Sequence, residues 1–193
     1  GTRQAPDHAL LSGSGAAGEQ AQKLDALMQR RQERPEADPQ YAEASILLAR
    51  SLQLLGRAPE AAKAFARAIE LVPDSPQLYA DYADVLVTAA DGNWTPTASA
   101  AGAKALALEP SHPNSLWLAG SEAYMRNDFR TALVHWEKLA PMTEPGSEVA
   151  RIIQQSIEEV RARVGSDATG APARAEAAKP AAKPAPAAAS RVS

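Results

Sequence analysis

Between His112 and Leu139 the chain reads HPNSLWLAGSEAYMRNDFRTALVHWEKL, and the placing of small and bulky residues there constrains the fold more than any other feature. Apolar residues recur at the spacing of one helical face. The pattern breaks at Asn127-Asp128, so the stretch is expected to be two short helices with a hinge between them. Ala119 and Gly120 in the first helix, and Ala132 in the second, fall where the two must touch. Leu116, Trp117, Tyr124 and Trp136 fill the space around them. A helix pair of this size cannot bury its apolar face alone and needs neighbours stacked against it.

Such neighbours lie upstream. Leu48, Ala49, Leu52, Gly56, Ala61, Phe65, Ala68 and Pro73 have the spacing of one helix–turn–helix unit. Tyr79, Tyr82, Ala83 and Leu86 repeat its first half, and Ala98, Ala105 and Pro110 its second. The interval from Pro73 to Pro110 is slightly longer than the period of about 34 residues of tetratricopeptide units. The excess is placed in Asp91-Gly92-Asn93-Trp94-Thr95-Pro96. Thr95 can cap the next helix there, and Pro96 suits a first turn, where a missing N–H costs nothing. The expected fold class is all-α: a tetratricopeptide (TPR) helix-turn-helix solenoid of three repeats, with a flanking N-terminal helix and a C-terminal capping helix. Stacks of this kind hold peptides on an inner face, so a binding module is expected rather than an enzyme.

Composition narrows the function further. Aromatic residues make up 5% of the chain and alternating apolar runs are absent, which starves strands. A length of 193 residues suits one domain of about 150 residues with tails. A net charge of −3 gives no broad attraction to nucleic acid or anionic lipid. The absence of cysteine excludes disulfides, thiolate metal sites and haem attached through CxxCH. No apolar run reaches the ~20 residues that cross a membrane, and no signal peptide is visible. The chain begins with glycine, as expected of a piece of something longer, with any membrane anchor upstream of Gly1.

Residues 1–18 are expected to be a disordered linker, 19–165 the repeat domain, and 166–193 a disordered Ala/Pro/Lys-rich tail. Helix one is expected from Glu19 to Arg34, with Leu24, Leu27 and Met28 on its apolar stripe, ending before Pro35. Asp38 caps helix two, which starts at Pro39 and reaches Leu55. After Gly56-Arg57 a third begins at Pro59 and ends near Val72. Asp74 or Ser75 caps the helix from Pro76 to Ala89, and the next spans Pro96 to Leu108. Others run from Pro113 to Arg126 and from Asp128 to Leu139. The last is capped by Ser147 and ends at Gly165, with Val149, Ile152, Ile153, Ile157, Val160 and Val164 on one face. A lid with one apolar side closes a repeat stack.

Catalytic chemistry has no foothold. His8 falls in the linker, His112 in a loop and His135 beside Trp136, and none is spaced for a metal. Gly13-Ser14-Gly15 lacks the strand and the GK[ST] of a phosphate loop. Neither catalytic nor metal-binding residues are expected. Phe65 and Trp136 occupy equivalent places on second helices and are expected in the core. Trp117 follows the inward position by one residue and is placed on the groove, with Tyr124 two turns along the same stripe. Together they are expected to clasp an amphipathic peptide by area and cation–π contact. The same offset puts Ile46, Arg50 and Gln53 in the first repeat's share of the groove. It puts Gln77, Asp81, Asp84 and Thr88 in the second's, and Asn114 and Ser121 beside Trp117 in the third's.

The ordered set HPNSLWLAG, Asn127-Asp128-Phe129, Trp136-Glu137-Lys138-Leu139 and Pro145-Gly146-Ser147-Glu148 with its closing helix resembles a particular family. This is the periplasmic TPR domain of the bacterial apocytochrome c chaperone of cytochrome c maturation, the CcmI/CycH family. Leu24 to Met28, Leu48-Ala49-Arg50-Ser51 and Ala105-Leu106-Ala107-Leu108-Glu109-Pro110 also fit it, so the likeness covers Glu19 to Gly165. The resemblance implies an inner-membrane anchor upstream and a domain facing the periplasm. It implies a hold on unfolded apocytochrome c, chiefly through its C-terminal helix, and delivery to the haem ligation proteins, with no bound cofactor. A sister group serves nitrite reductase assembly. Two departures bear on the groove's entrance: Ser45 stands where a large aromatic is usual, and Pro39 to Ala42 lengthen helix two.

Adaptors for chaperone tails grip a carboxylate with Lys, Asn and Arg, but the matching positions here are Ile46, Arg50, Asp81, Asn114 and Leu118. Asp81 would repel a carboxylate, so that clamp is missing. A static scaffold tethering an envelope or nitrite reductase haem-attachment complex is the main alternative.

Overall fold

The computed structural model describes residues 18–26 and 39–169. Its elements are helical turns over 18–26 (α1), then α2 (Pro39–Leu54), α3 (Ala58–Leu71), α4 (Pro76–Ala89) and α5 (Pro96–Leu108). There follow α6 (Pro113–Met125), α7 (Phe129–Leu139), a 3-10 turn at Ala140–Met142, and α8 (Glu148–Thr169). No strand occurs among the described residues. The class is the all-α tetratricopeptide type expected, with α2/α3 and α6/α7 as packed helix pairs. The expected positions of Leu27, Met28, Pro35, Asp38 and His8, the linker over 1–17 and the tail from 170 onward lie outside the described residues.

Local chemistry sets the helix starts. Ser75 Oγ accepts from Leu78 N at 3.3 Å, and Thr95 Oγ1 from Ala98 N at 3.2 Å. Asp128 Oδ1 accepts from Thr131 N at 3.2 Å, and Ser147 Oγ from Ala150 N at 3.1 Å. Each gives a partner to an N–H that the first helical turn leaves unmatched. His112, expected merely in a loop, caps α6: its Nδ1 accepts from Ser115 N at 3.3 Å. Asn127 takes φ +60° at the hinge between α6 and α7, a left-handed conformation that asparagine tolerates.

α8 continues past Gly165 to Thr169. A glycine inside a helix costs only about 1 kcal/mol relative to alanine, too little to stop one held by packing.

The chain divides into two units that part between Ala101 and Gly102, within α5. In the first, α2 packs on α3 and α3 on α4. Its core holds Leu48, Leu52, Phe65, Leu78 and Val85, with Ala49, Ala61 and Ala68 fully enclosed. Side chains this small let the helix backbones approach closely. Ser45 is buried too, and its Oγ donates to the Tyr41 carbonyl at 2.8 Å, so a small polar residue fits without an unsatisfied group.

In the second unit α6 packs on α7 and α7 on α8. Leu116, Trp136, Leu139, Ile153, Ile157 and Val160 form its core, with Val149, Ile152 and Val164 at the margin. The expected stripe of the closing helix therefore faces inward. Gly120 makes room for Trp136: a Cβ there would lie 2.2 Å from the indole Nε1.

Candidate functional site

The expected groove residues of the first unit come together. Arg50 on α2 reaches Asp81 on α4, Nη2 to Oδ2 at 3.7 Å. Gln77 Nε2 donates to Asp81 Oδ1 at 2.6 Å, and Gln53 Nε2 to Asp84 Oδ2 at 3.3 Å. Thr88 Oγ1 donates to the Asp84 carbonyl at 2.9 Å. These side chains form a polar ladder across α2 and α4. Ile46 is half-buried at its margin, against the first core. Asp81 is 7% exposed, so its charge is held by the guanidinium and the amide more than by water.

Helical geometry explains the ladder. Arg50 and Gln53 are one turn apart, as are Gln77, Asp81, Asp84 and Thr88 in succession. Each set thus lies along one side of its helix. The charged residues of the two helices are Glu43, Arg50, Asp81 and Asp84.

The second unit corrects the expectation for the aromatic residues. Trp117 is 5% exposed and Tyr124 6%, and both belong to the core instead of lining an open stripe. Trp117 stacks on Trp136 with centroids 5.4 Å apart and planes 24° apart. Its carbonyl accepts from Trp136 Nε1 at 3.3 Å. Tyr124 lies 6.0 Å from Trp136 and meets Phe129 edge-on at 5.7 Å.

Helix α8 closes over Tyr124. The phenol donates to Glu159 Oε1 at 2.5 Å, and Arg163 donates to the same oxygen at 2.9 Å. The Arg163 guanidinium lies 5.4 Å from the Tyr124 ring centre and 5.2 Å from that of Phe129. Burial, and then the bond to Glu159, push the phenol pKa up to about 12. The cation–π contact expected for Tyr124 is therefore made within the chain. Asn114 is half-buried at the start of α6, and Ser121 Oγ donates to the Trp117 carbonyl at 2.8 Å.

Two residues escaped the sequence argument. Leu47 and Leu54 on α2 are 50% and 89% exposed. A signal was present, since the doublets Leu47-Leu48 and Leu54-Leu55 give α2 more apolar surface than one stripe can bury. A cleft of about 270 Å³ lies elsewhere in this unit, floored by Leu48, Leu52 and Ala64 and edged by Arg57, Lys63 and Arg67. It touches none of the expected groove residues. Among the described residues, no group of three or more His, Asp or Glu is placed to hold a metal. No helix among them is long and apolar enough to cross a membrane.

Paired helices with alanine seams, capped turns and a closing helix define a tetratricopeptide repeat protein. The chain belongs to the family described as the cytochrome c-type biogenesis protein H TPR domain, which it matches over residues 16–150. It is 27% identical over 133 residues to the formate-dependent nitrite reductase complex subunit NrfG of Escherichia coli O157:H7, covering 69% of this chain and 67% of that one. It is 29% identical over 130 residues to the cytochrome c-type biogenesis protein CycH of Pseudomonas aeruginosa, covering 67% of this chain and 32% of the relative. For CycH of Rhizobium meliloti the identity is 32% over 125 residues, covering 65% of this chain and 33% of the relative. The chain thus spans about a third of the length of these two CycH proteins.

Proposed function

We propose that this domain is a non-catalytic chaperone module that holds unfolded apocytochrome c, by its C-terminal helix, for haem ligation during cytochrome c maturation. It works in the periplasm, as part of a protein anchored in the inner membrane by a segment upstream of this chain. The observation that carries the reading is the family match over residues 16–150, which spans the α2–α4 polar ladder. Holding a client without chemistry asks for a preformed surface that offers hydrogen bonds and charge to a helix laid across it. The ladder meets that need, because Asp81 orients Arg50 and Gln77, and Gln53 and Asp84 orient each other. Oriented side chains lose little freedom when a client docks.

An assembly scaffold for a nitrite reductase haem-attachment complex is the second reading. The match to NrfG favours it, since it covers about two thirds of both chains. The two readings differ in what they bind. Fluorescence anisotropy of labelled apocytochrome c and of the same protein with haem attached separates them. A chaperone binds the first and ignores the second. Binding to neither, by a domain with intact helicity, contradicts the chaperone reading and leaves the scaffold.

A further inference from the structure

The cleft of about 270 Å³ between α1, α2 and α3 shares no residue with the polar ladder, so an inference drawn from it stands apart from the client reading. Ala21 on α1, Leu48 and Leu52 on α2 and Ala64 on α3 are buried and give it an apolar floor. Arg57 at its rim donates to both carboxylate oxygens of Glu60, Nε to Oε1 at 2.7 Å, and Asp25 adds negative charge beside it. That cation is matched. Lys63 and Arg67, also at the rim, are not: both are exposed on α3, and neither makes an ion pair among the described residues. They stand one helical turn apart on the same side, where like charges repel. An anion lying between them relieves that repulsion.

Size limits what that anion is attached to. An apolar cavity of about 150 Å³ accommodates benzene, so this cleft has room for one large side chain and the group that ends it. A folded element or a pair of acyl chains exceeds it. One polypeptide residue with its terminal carboxylate fits, and the cleft is half open, so the rest of a chain can leave through the mouth. Gln22, exposed at the rim, offers an amide to the backbone of the preceding residue. We propose that the cleft receives the C-terminus of a partner polypeptide that ends in an apolar residue. Its last side chain rests on Leu48, Leu52 and Ala64, and its carboxylate lies between Lys63 and Arg67.

The test titrates the domain into labelled short peptides and reads fluorescence anisotropy. One peptide ends in leucine with a free carboxylate, another is its C-terminal amide, and a third ends in serine. Unlabelled hexanoate competes as a free acid of similar size. The leucine acid is expected to bind, and the amide and the serine peptide to bind roughly tenfold more weakly. The double variant Lys63→Gln, Arg67→Gln is expected to lose roughly tenfold for the leucine acid. Both side chains are exposed, so its circular dichroism is expected to be unchanged.

Equal binding of the acid and the amide overturns the inference, as does an unaltered affinity of the double variant. Equal binding of the serine peptide removes the apolar floor from the site and overturns it too. Hexanoate that displaces the leucine acid at equal affinity assigns the cleft to free acids and refutes the polypeptide terminus. No binding of the leucine acid refutes the site outright.

Discussion

Gly120→Ala adds one methyl group to a helix, a change that in an open position stabilises by about 1 kcal/mol. At Gly120 the sign is expected to reverse. The new Cβ would lie 2.2 Å from Trp136 Nε1, 2.5 Å from Cδ1 and 2.7 Å from Cε2. Comfortable separations between such atoms are about 3.5–4.0 Å, so the indole has to retreat by roughly 1 Å or more. It has nowhere to go. Trp136 is 1% exposed, with Trp117 stacked on it at 5.4 Å and Tyr124 at 6.0 Å.

Retreat also stretches its 3.3 Å bond to the Trp117 carbonyl. Overpacking of this kind costs about 1–3 kcal/mol, and a weakened buried hydrogen bond about 1 more. Set against the helix gain, Gly120→Ala is expected to destabilise by roughly 1–3 kcal/mol. Gly165 supplies the control. It lies within α8 and a Cβ there meets nothing within 4 Å, so Gly165→Ala is expected to stabilise by about 0.5–1 kcal/mol.

Urea unfolding followed by circular dichroism reads both, as opposite shifts of the midpoint at similar slope. A Gly120→Ala variant as stable as the parent refutes the claim that the glycine exists to admit the indole. Combining it with Trp136→Phe, which shortens the ring, is expected to recover part of the loss.

Other consequences follow from the same contacts. Trp117→Ala is expected to cost about 3–5 kcal/mol in urea unfolding, because it empties a core position; a stable variant with weakened binding alone would restore Trp117 to the groove. Tyr124 has its folded pKa raised to about 12 from 10.0, so the unfolded state ionises first and stability present below pH 10 is lost as pH rises towards 12. Tyr124→Phe is expected to flatten that part of the stability–pH curve, measured by denaturant titration at fixed ionic strength. Asp81→Ala leaves Arg50 and Gln77 without their shared acceptor and is expected to cost on the order of 1–3 kcal/mol, read as a lowered urea midpoint.

Helix pairs and their starts were legible because they rest on local chemistry. Ser75, Thr95, Asp128 and Ser147 cap where a hydroxyl or carboxylate precedes an apolar run, and Phe65 and Trp136 are buried as their repeat positions require. The polar ladder was legible for the same reason, since Arg50, Gln53, Asp81 and Asp84 follow from the period of two helices. Trp117 and Tyr124 were misplaced because a helical wheel describes one helix and burial depends on its neighbours. Gly120 draws Trp136 onto Trp117, and Glu159 and Arg163, far along the chain, close over Tyr124. Leu47 and Leu54 were overlooked for the opposite reason, being leucines that nothing among the described helices covers.

The central claim is that the domain grips an unfolded cytochrome by its C-terminal helix. Titration calorimetry against a peptide of that helix from a c-type apocytochrome, with folded holocytochrome as control, tests it most directly. Micromolar or tighter binding to the peptide, and none to the holoprotein, is the predicted result. No heat with the peptide, from a domain of intact helicity, would contradict it.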